Sequence, residues 1–223
     1  MIPKIIHHIW MGNKEIPQNN IFCINTIKEL HKDFEYKLWI DKDIDELMKN
    51  DFPDYYDEFN KLPRMIMKID MFRYFLMYKF GGLYTDVDYY MFKSFDLLEN
   101  QVVIPCNREF EDKTPECLGN CFFASIPNHS FWKSLMDTLF SIDRTTIDYQ
   151  IDKTIDGNIL GTGPAFVYNM WKNYNEKNTI YIPERKFFHP LTKLNKEYIE
   201  ELKQNKETYG MHICTGLWRN NNL

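Results

Sequence analysis

The chain has 223 residues, 44% hydrophobic and 16% aromatic, which excludes a disordered or low-complexity protein and allows one domain with a sizeable core. A formal net charge of −5 argues against nucleic acid as the principal partner, because phosphate-dominated binding favours a basic surface. The cysteines (23, 106, 117, 121 and 214) are odd in number and form no CxxC pair, a pattern of reduced thiols rather than of a disulfide framework or a zinc site. No stretch reaches the roughly 20 apolar residues of a membrane span, and "MIPKIIHHIW" lacks the cleavage site of a signal peptide, so the expected location is cytoplasmic.

"IPKIIHHIW" reads as a buried first strand, with His7 and His8 facing opposite ways, and "GNKEIPQN" as the loop after it. Ile21, Ile24, Ile27 and Leu30 recur at helical spacing over 19–32, and "EYKLWID" alternates as a second strand. This strand–helix–strand opening predicts an α/β sheet that binds its ligand at the carboxyl ends of the strands. Residues 41–62 read as short acidic and aromatic helices, with Asp41, Asp43 and Asp45 on a solvated face. Pro63 suits the first turn of "RMIMKIDMFRYFLMYKF", a helix apolar nearly all round and therefore buried. Gly81 and Gly82 end it, and "LYTDVDYYMF" follows as a strand. "VVIP", "CFFASIP" and "IYIPE" are further strand candidates; "SFWKSLMDTLFSI" and "PAFVYNMWKNY" read as helices.

Two features carry chemistry. Asp70 and Arg73 are three apart in the buried helix and so share a face, where they either pair locally or reach a polar ligand. In an extended "LYTDVD", Tyr84, Asp86 and Asp88 point to one side. Two converging carboxylates make a hard, oxygen-rich site of the kind Mg²⁺ or Mn²⁺ prefers, and the preceding Gly-Gly would let the backbone turn and a ligand approach.

The block "KIDMFRYFLMYKFGGLYTDVD" resembles the signature of DXD-containing sugar transferases, glycosyltransferase family 32, with a similar block in the large clostridial glucosylating toxins. "IPKIIHHIWMG", "GNCFFASIPNHSFW", "GTGPAF" and "MHICTGLW" extend the resemblance over 1–218. It implies a GT-A fold: a Rossmann-like mixed sheet flanked by helices, one catalytic domain over 1–223 with small helical additions. It also implies retaining transfer from a nucleotide-sugar, with a UDP-sugar favoured over GDP-mannose, to a glycan or protein hydroxyl, with Mn²⁺ or Mg²⁺. Retention without an obvious carboxylate nucleophile points to front-face attack, with the departing phosphate helping to deprotonate the acceptor.

By motif position the resemblance makes Asp88 the metal ligand, places Asp86 on the ribose or sugar and in the metal shell, and sets Asp70 and Arg73 on the donor sugar. Trp10 would stack the nucleobase, Tyr84 would line the pocket, and Asn120 would lie near the sugar. Gly163 and Pro164 would shape the pocket beside sugar and acceptor. His212 would complete the metal shell, and Trp218 would cap the diphosphate. Leu217 stands where many relatives carry Ser, so Thr215 is the substitute hydroxyl.

Three rivals stand beside this reading. A metal-dependent phosphohydrolase would need more carboxylates or histidines for a two-metal site. A non-catalytic nucleotide-sugar-binding protein would be expected to lose Asp88 or Arg73, and both are present. A toxin-like protein O-glycosyltransferase differs only in its acceptor.

Overall fold

The computed structural model describes residues 1–94, 99–141, 161–190 and 196–216. Its sheet grows from β1 (Ile5–Ile9), which pairs in parallel with β2 (Glu35–Trp39) on one side and β3 (Gly82–Thr85) on the other. The crossover from β1 to β2 is α1 (Gln18–Leu30), which starts after Pro17 and buries Asn20, Cys23, Ile24 and Ile27 along one stripe. A helix with that spacing has a single apolar face, and the sheet is what covers it.

Between β2 and β3 lie α2 (Asp41–Asp51), α3 (Pro53–Asn60) and α4 (Met65–Lys79). The acidic run expected to be merely solvated has structural duties. Asp43 accepts the Ile40 N–H at the start of α2, Asp41 accepts the Gly12 N–H at 2.8 Å, and Asp45 takes bonds from Lys49 and Tyr56. Pro53 occupies the first position of α3, whereas Pro63 lies just outside α4, whose N-cap is Arg64.

The helix α4 is the centre of the molecule. Every residue from Asp70 to Met77 is buried, because α4 packs on β1, β3 and β8 (Phe122–Ser125) with one side and on α3 and α5 (Ser130–Ser141) with others. Phe72, Phe75, Leu76 and Met77 are fully shielded, each worth about 1.5–3 kcal/mol of transfer free energy. Gly81, at φ +63°, closes α4, and Gly82 follows at φ +79°.

These glycines serve packing rather than ligand access. A Cβ on Gly81 would lie 2.7 Å from the Pro127 nitrogen, and one on Gly82 2.6 Å from the Ile5 carbonyl oxygen. Gly82 also opens β3, at the end of the strand opposite to Asp86.

The sheet is completed by β8, antiparallel to β3, then β5 (Val102–Val103) and β9 (Ile180–Tyr181), in the order β2-β1-β3-β8-β5-β9. Alternation along the strands splits the core. Tyr84 and Phe123 face the α4 side, while Leu83, Phe122 and Ala124 face α1 and Phe188. A hairpin, β6 (Cys106–Glu109) with β7 (Pro115–Leu118), and the helices α6 (Pro164–Asn173), α7 (Arg185–Phe188) and α8 (Lys196–Gln204) flank this framework.

The stretch expected as one strand from Leu83 to Phe92 is two. After β3 the chain turns at residues 86–88, with the Tyr89 N–H bonded to the Asp86 carbonyl, and resumes as β4 (Tyr89–Met91). Then β4 pairs antiparallel with β10 (Gly210–His212), which brings the C-terminal region to the end of β3. Among the described residues no helix is long and apolar enough to cross a membrane.

Candidate active site at the carboxyl end of the sheet

The parallel strands β1 and β3 end at the same edge, and the first of the acidic pair leaves there directly. Asp86 hangs its N–H on the Cys121 carbonyl at 2.9 Å, which fixes the turn. Asp86 and Asp88 therefore converge because the chain turns between them, not because an extended strand puts them on one face. The register His212↔Tyr89 then sets the imidazole of His212 beside them.

The resulting cluster is tight. His212 Nε2 lies 2.9 Å from Asp88 Oδ1 and 3.6 Å from Asp86 Oδ2, and one ligand atom from each of the three residues fits within 4.8 Å. Asp88 Oδ2 accepts the backbone N–H of Thr215 at 2.8 Å and its hydroxyl at 2.7 Å. The Thr215 hydroxyl, expected to take the place of the missing serine, here bonds the Asp88 carboxylate. Burial works to raise the Asp88 pKa, but the bond and charge of His212 and the two Thr215 bonds outweigh it and hold the carboxyl well below its usual range. Burial works against a charge on His212, yet Cys121 and the bond to Asp88 keep the imidazole well above its ordinary value. Two oxygens and one nitrogen at this spacing suit Mg²⁺ or Mn²⁺, and Asp86, Asp88 and His212 would hold the ion.

A second set of groups adjoins the first through Arg73. Its guanidinium is buried, 3.0 Å from Asp70 Oδ1 and 3.3 Å from Asp86 Oδ1, and lies over the Tyr84 ring at 4.9 Å. It also donates to the carbonyl of Asn120. Tyr84 gives its hydroxyl to Asp86 Oδ1 at 2.5 Å. Asp70 accepts from Asn120 Nδ2 at 3.0 Å and from the Thr162 hydroxyl at 2.8 Å. Burial raises the Asp70 pKa, although Arg73, Thr162 and Asn120 oppose the rise. Burial also opposes the charge on Arg73, and Asp86 leads the groups that outweigh it.

The pairing expected within the helix is therefore present but not merely local: Arg73 ties Asp70 in α4 to Asp86 at the end of β3. Gly163, the N-cap of α6, faces the same place. A Cβ there would sit 3.4 Å from Asp70 Oδ2 and 3.5 Å from Asn120 Nδ2.

Asp70, Arg73, Tyr84, Asp86, Asp88, Asn120 and His212 thus form one continuous network. Trp10 lies outside it. It follows β1, at the edge where β3 delivers Asp86, half-buried, with its indole N–H on the Lys14 carbonyl at 2.7 Å. Trp218 and Leu217 fall outside the described residues. Thr162 is the member that sequence reasoning missed, and only its place beside Gly163 in "GTGPAF" pointed to it.

This mixed, helix-flanked sheet has the GT-A fold, which solved neighbours share. The PaToxG glycosyltransferase superposes with a TM-score of 0.51 at 20% identity, over 76% of this chain and 68% of that one. The ligand-free glycosyltransferase domain of the YGT toxin gives 0.52 at 10% identity, over 82% and 80%.

Residues 17–105 match the family described as the glycosyltransferase sugar-binding region containing DXD motif. Inositol phosphoceramide mannosyltransferase 3 of Schizosaccharomyces pombe is 27% identical over 210 residues, covering 90% of this chain and 52% of the relative. A mannosyl phosphorylinositol ceramide synthase of Saccharomyces cerevisiae is 32% identical over 176 residues, covering 78% and 43%. The chain spans about half the length of these curated relatives.

Proposed function

We propose that the protein is a divalent-cation-dependent glycosyltransferase that moves a sugar from a nucleotide-sugar to a glycan or polyol hydroxyl, with residues 1–223 acting as one catalytic unit. The observation that carries this reading is the continuous network from Asp88 and His212 through Asp86 and Arg73 to Asp70. A structural ion pair would need only Asp70 and Arg73. The extension to a turn bearing two more carboxylates and a histidine is what a donor with a diphosphate and a sugar requires.

Each part has a task. Asp86, Asp88 and His212 hold the cation, which when bound stabilises the charge developing on the leaving nucleoside diphosphate. Thr215 and the β4–β10 ladder orient Asp88 and His212. Arg73 adds fixed positive potential in a buried setting, where it counts for more than in water. Asp70 and Asn120 present oxygen and amide groups to the sugar hydroxyls, and Gly163 leaves room beside them. Trp10 and Trp218 are the aromatic surfaces assigned to nucleobase and diphosphate.

The UDP-sugar preference expected from the sequence gives way here to a mannosyl donor, GDP-mannose, which the names of the fungal relatives support. Retention of configuration by front-face attack remains the expected stereochemistry; the one-bond C1–H1 coupling of the product in NMR reads the retention.

The test is release of nucleoside diphosphate from GDP-mannose and a panel of UDP-sugars with Mn²⁺, with inositol phosphoceramide and simple mannosides as acceptors. Calorimetric donor binding runs beside it. Metal-dependent release that Asp88→Asn abolishes supports the reading. Donor binding without turnover on any acceptor would leave a nucleotide-sugar-binding protein instead.

A further inference from the structure

A cysteine and a histidine that the transferase reading does not use converge beside His212. Cys121, buried immediately before β8, His189, which caps α7, and His212, at the end of β10, each offer a ligand atom within 4.8 Å of the others. His189 Nδ1 is buried without a hydrogen-bond partner. Such an atom costs about 1–3 kcal/mol in a folded protein, so a core histidine is usually satisfied. The Cys121 thiol hydrogen-bonds His212, and β8, β10 and the exit of α7 all have to meet to build the group.

The absence of a CxxC pair counted against a zinc site in the sequence. The three donors lie too far apart in the chain for spacing to reveal them. Their chemistry differs from that of the acidic pair: one sulfur and two nitrogens, against two carboxylate oxygens and one nitrogen. Thiolate and imidazole select borderline and soft ions of the zinc class, whereas carboxylates select Mg²⁺ and Mn²⁺. Zinc bonds of about 2.3 Å to sulfur and about 2.0 Å to nitrogen would draw the group together by about an ångström.

We propose that Cys121, His189 and His212 form a second divalent-cation site, selective for the zinc class, that shares His212 with the Asp86–Asp88 pair. Binding converts the Cys121 thiol to a thiolate and releases its proton to solvent. An ion held there takes His212 from the neighbouring set, so the two sites exclude each other and zinc antagonises the activating cation. The site itself stands on geometry alone; the antagonism rests on the transferase reading above.

Cobalt is the probe, because thiolate ligation gives it a near-ultraviolet charge-transfer band that carboxylate and imidazole ligation do not. The full chain titrated with Co²⁺ shows this band with the visible bands of a tetrahedral ion. Zn²⁺ displaces both. Cys121→Ser loses the band, Cys214→Ser keeps it, and His189→Gln weakens Co²⁺ binding at least tenfold.

Octahedral cobalt spectra without the band overturn the site, as does a band that survives Cys121→Ser and disappears in Cys214→Ser. Near-ultraviolet circular dichroism shows whether each variant is folded, and His189→Gln tests the site without touching the buried thiol. For the antagonism, stoichiometric Zn²⁺ suppresses Mn²⁺-dependent diphosphate release in the native chain and spares Cys121→Ser. Undiminished release with the zinc site filled overturns the sharing of His212 while leaving the site intact. Absent activity in every sample refutes the transferase reading and not the cobalt result.

Discussion

Replacing Arg73 by methionine keeps much of the side chain's volume and removes its charge, so it isolates what the guanidinium contributes. Arg73 is 2% exposed and reaches Asp70 at 3.0 Å and Asp86 at 3.3 Å. At an effective dielectric constant near 20, each such pair attracts by about 4 kcal/mol before desolvation is counted. Losing the cation leaves Asp70 inside an apolar helix without a counter-charge. Breaking a buried pair in this way costs about 3–5 kcal/mol.

The lower end applies here, about 3 kcal/mol. Asp70 retains its bonds from Asn120 and Thr162 and can take up a proton, and the Asp86 side chain is 21% exposed. Urea unfolding at pH 7 measures the loss as a fall in midpoint at constant m-value. Asp70→Asn combined with Arg73→Met removes the stranded charge, so the double variant is more stable than Arg73→Met alone by about 1 kcal/mol or more. A loss below about 1 kcal/mol in Arg73→Met, or strict additivity in the double variant, would refute the view that the guanidinium compensates buried carboxylates.

Other consequences follow from single residues. Gly82→Ala forces a Cβ against the Ile5 carbonyl at a positive φ, and is expected to cost about 2–4 kcal/mol in the same unfolding assay. His7 accepts the Trp39 indole N–H on Nδ1 and contacts the Gly81 carbonyl through Nε2, so its buried form is neutral, with its pKa lowered by burial to about 4. The unfolded chain binds a proton near pH 6.5 that the folded chain refuses. Stability present above pH 6.5 therefore falls as the pH drops towards 4, with at most about 3 kcal/mol from this residue. His7→Gln should flatten the dependence of the urea midpoint on pH in that window; an unchanged slope would exclude His7 as its source. Mn²⁺ at a hundredfold excess over its dissociation constant should stabilise the native chain by about 2.7 kcal/mol in thermal unfolding, and Asp88→Asn should remove most of that gain.

What could be read before folding was what depends on short sequence distances. The burial of α4, its end at Gly81 and the sharing of a face by Asp70 and Arg73 all follow from helical periodicity within 64–82. The acidic pair was legible as a pair but not as a geometry, because an alternating stretch does not announce the turn at 86–88 that splits β3 from β4. His212 could be named only through the family resemblance. Its actual partners depend on β10 pairing with β4, a contact across more than a hundred residues that no local pattern encodes. Thr162 reaches Asp70 across a similar distance, and Cys121 and His189 were invisible as a group for the same reason. Packing likewise reassigned Gly82: the missing side chain accommodates Ile5 of the neighbouring strand instead of a ligand.

The proposed function requires that one cation, held by Asp86, Asp88 and His212, couple donor binding to transfer. Calorimetric titration of GDP-mannose into the native chain, with Mn²⁺ and then with a chelator, tests it most directly when the UDP-sugars and Asp88→Asn are run in parallel. Donor binding is expected to require Mn²⁺, to weaken at least tenfold in Asp88→Asn and to be strongest for the mannosyl donor. Equal binding with and without metal, unaffected by Asp88→Asn, would contradict it.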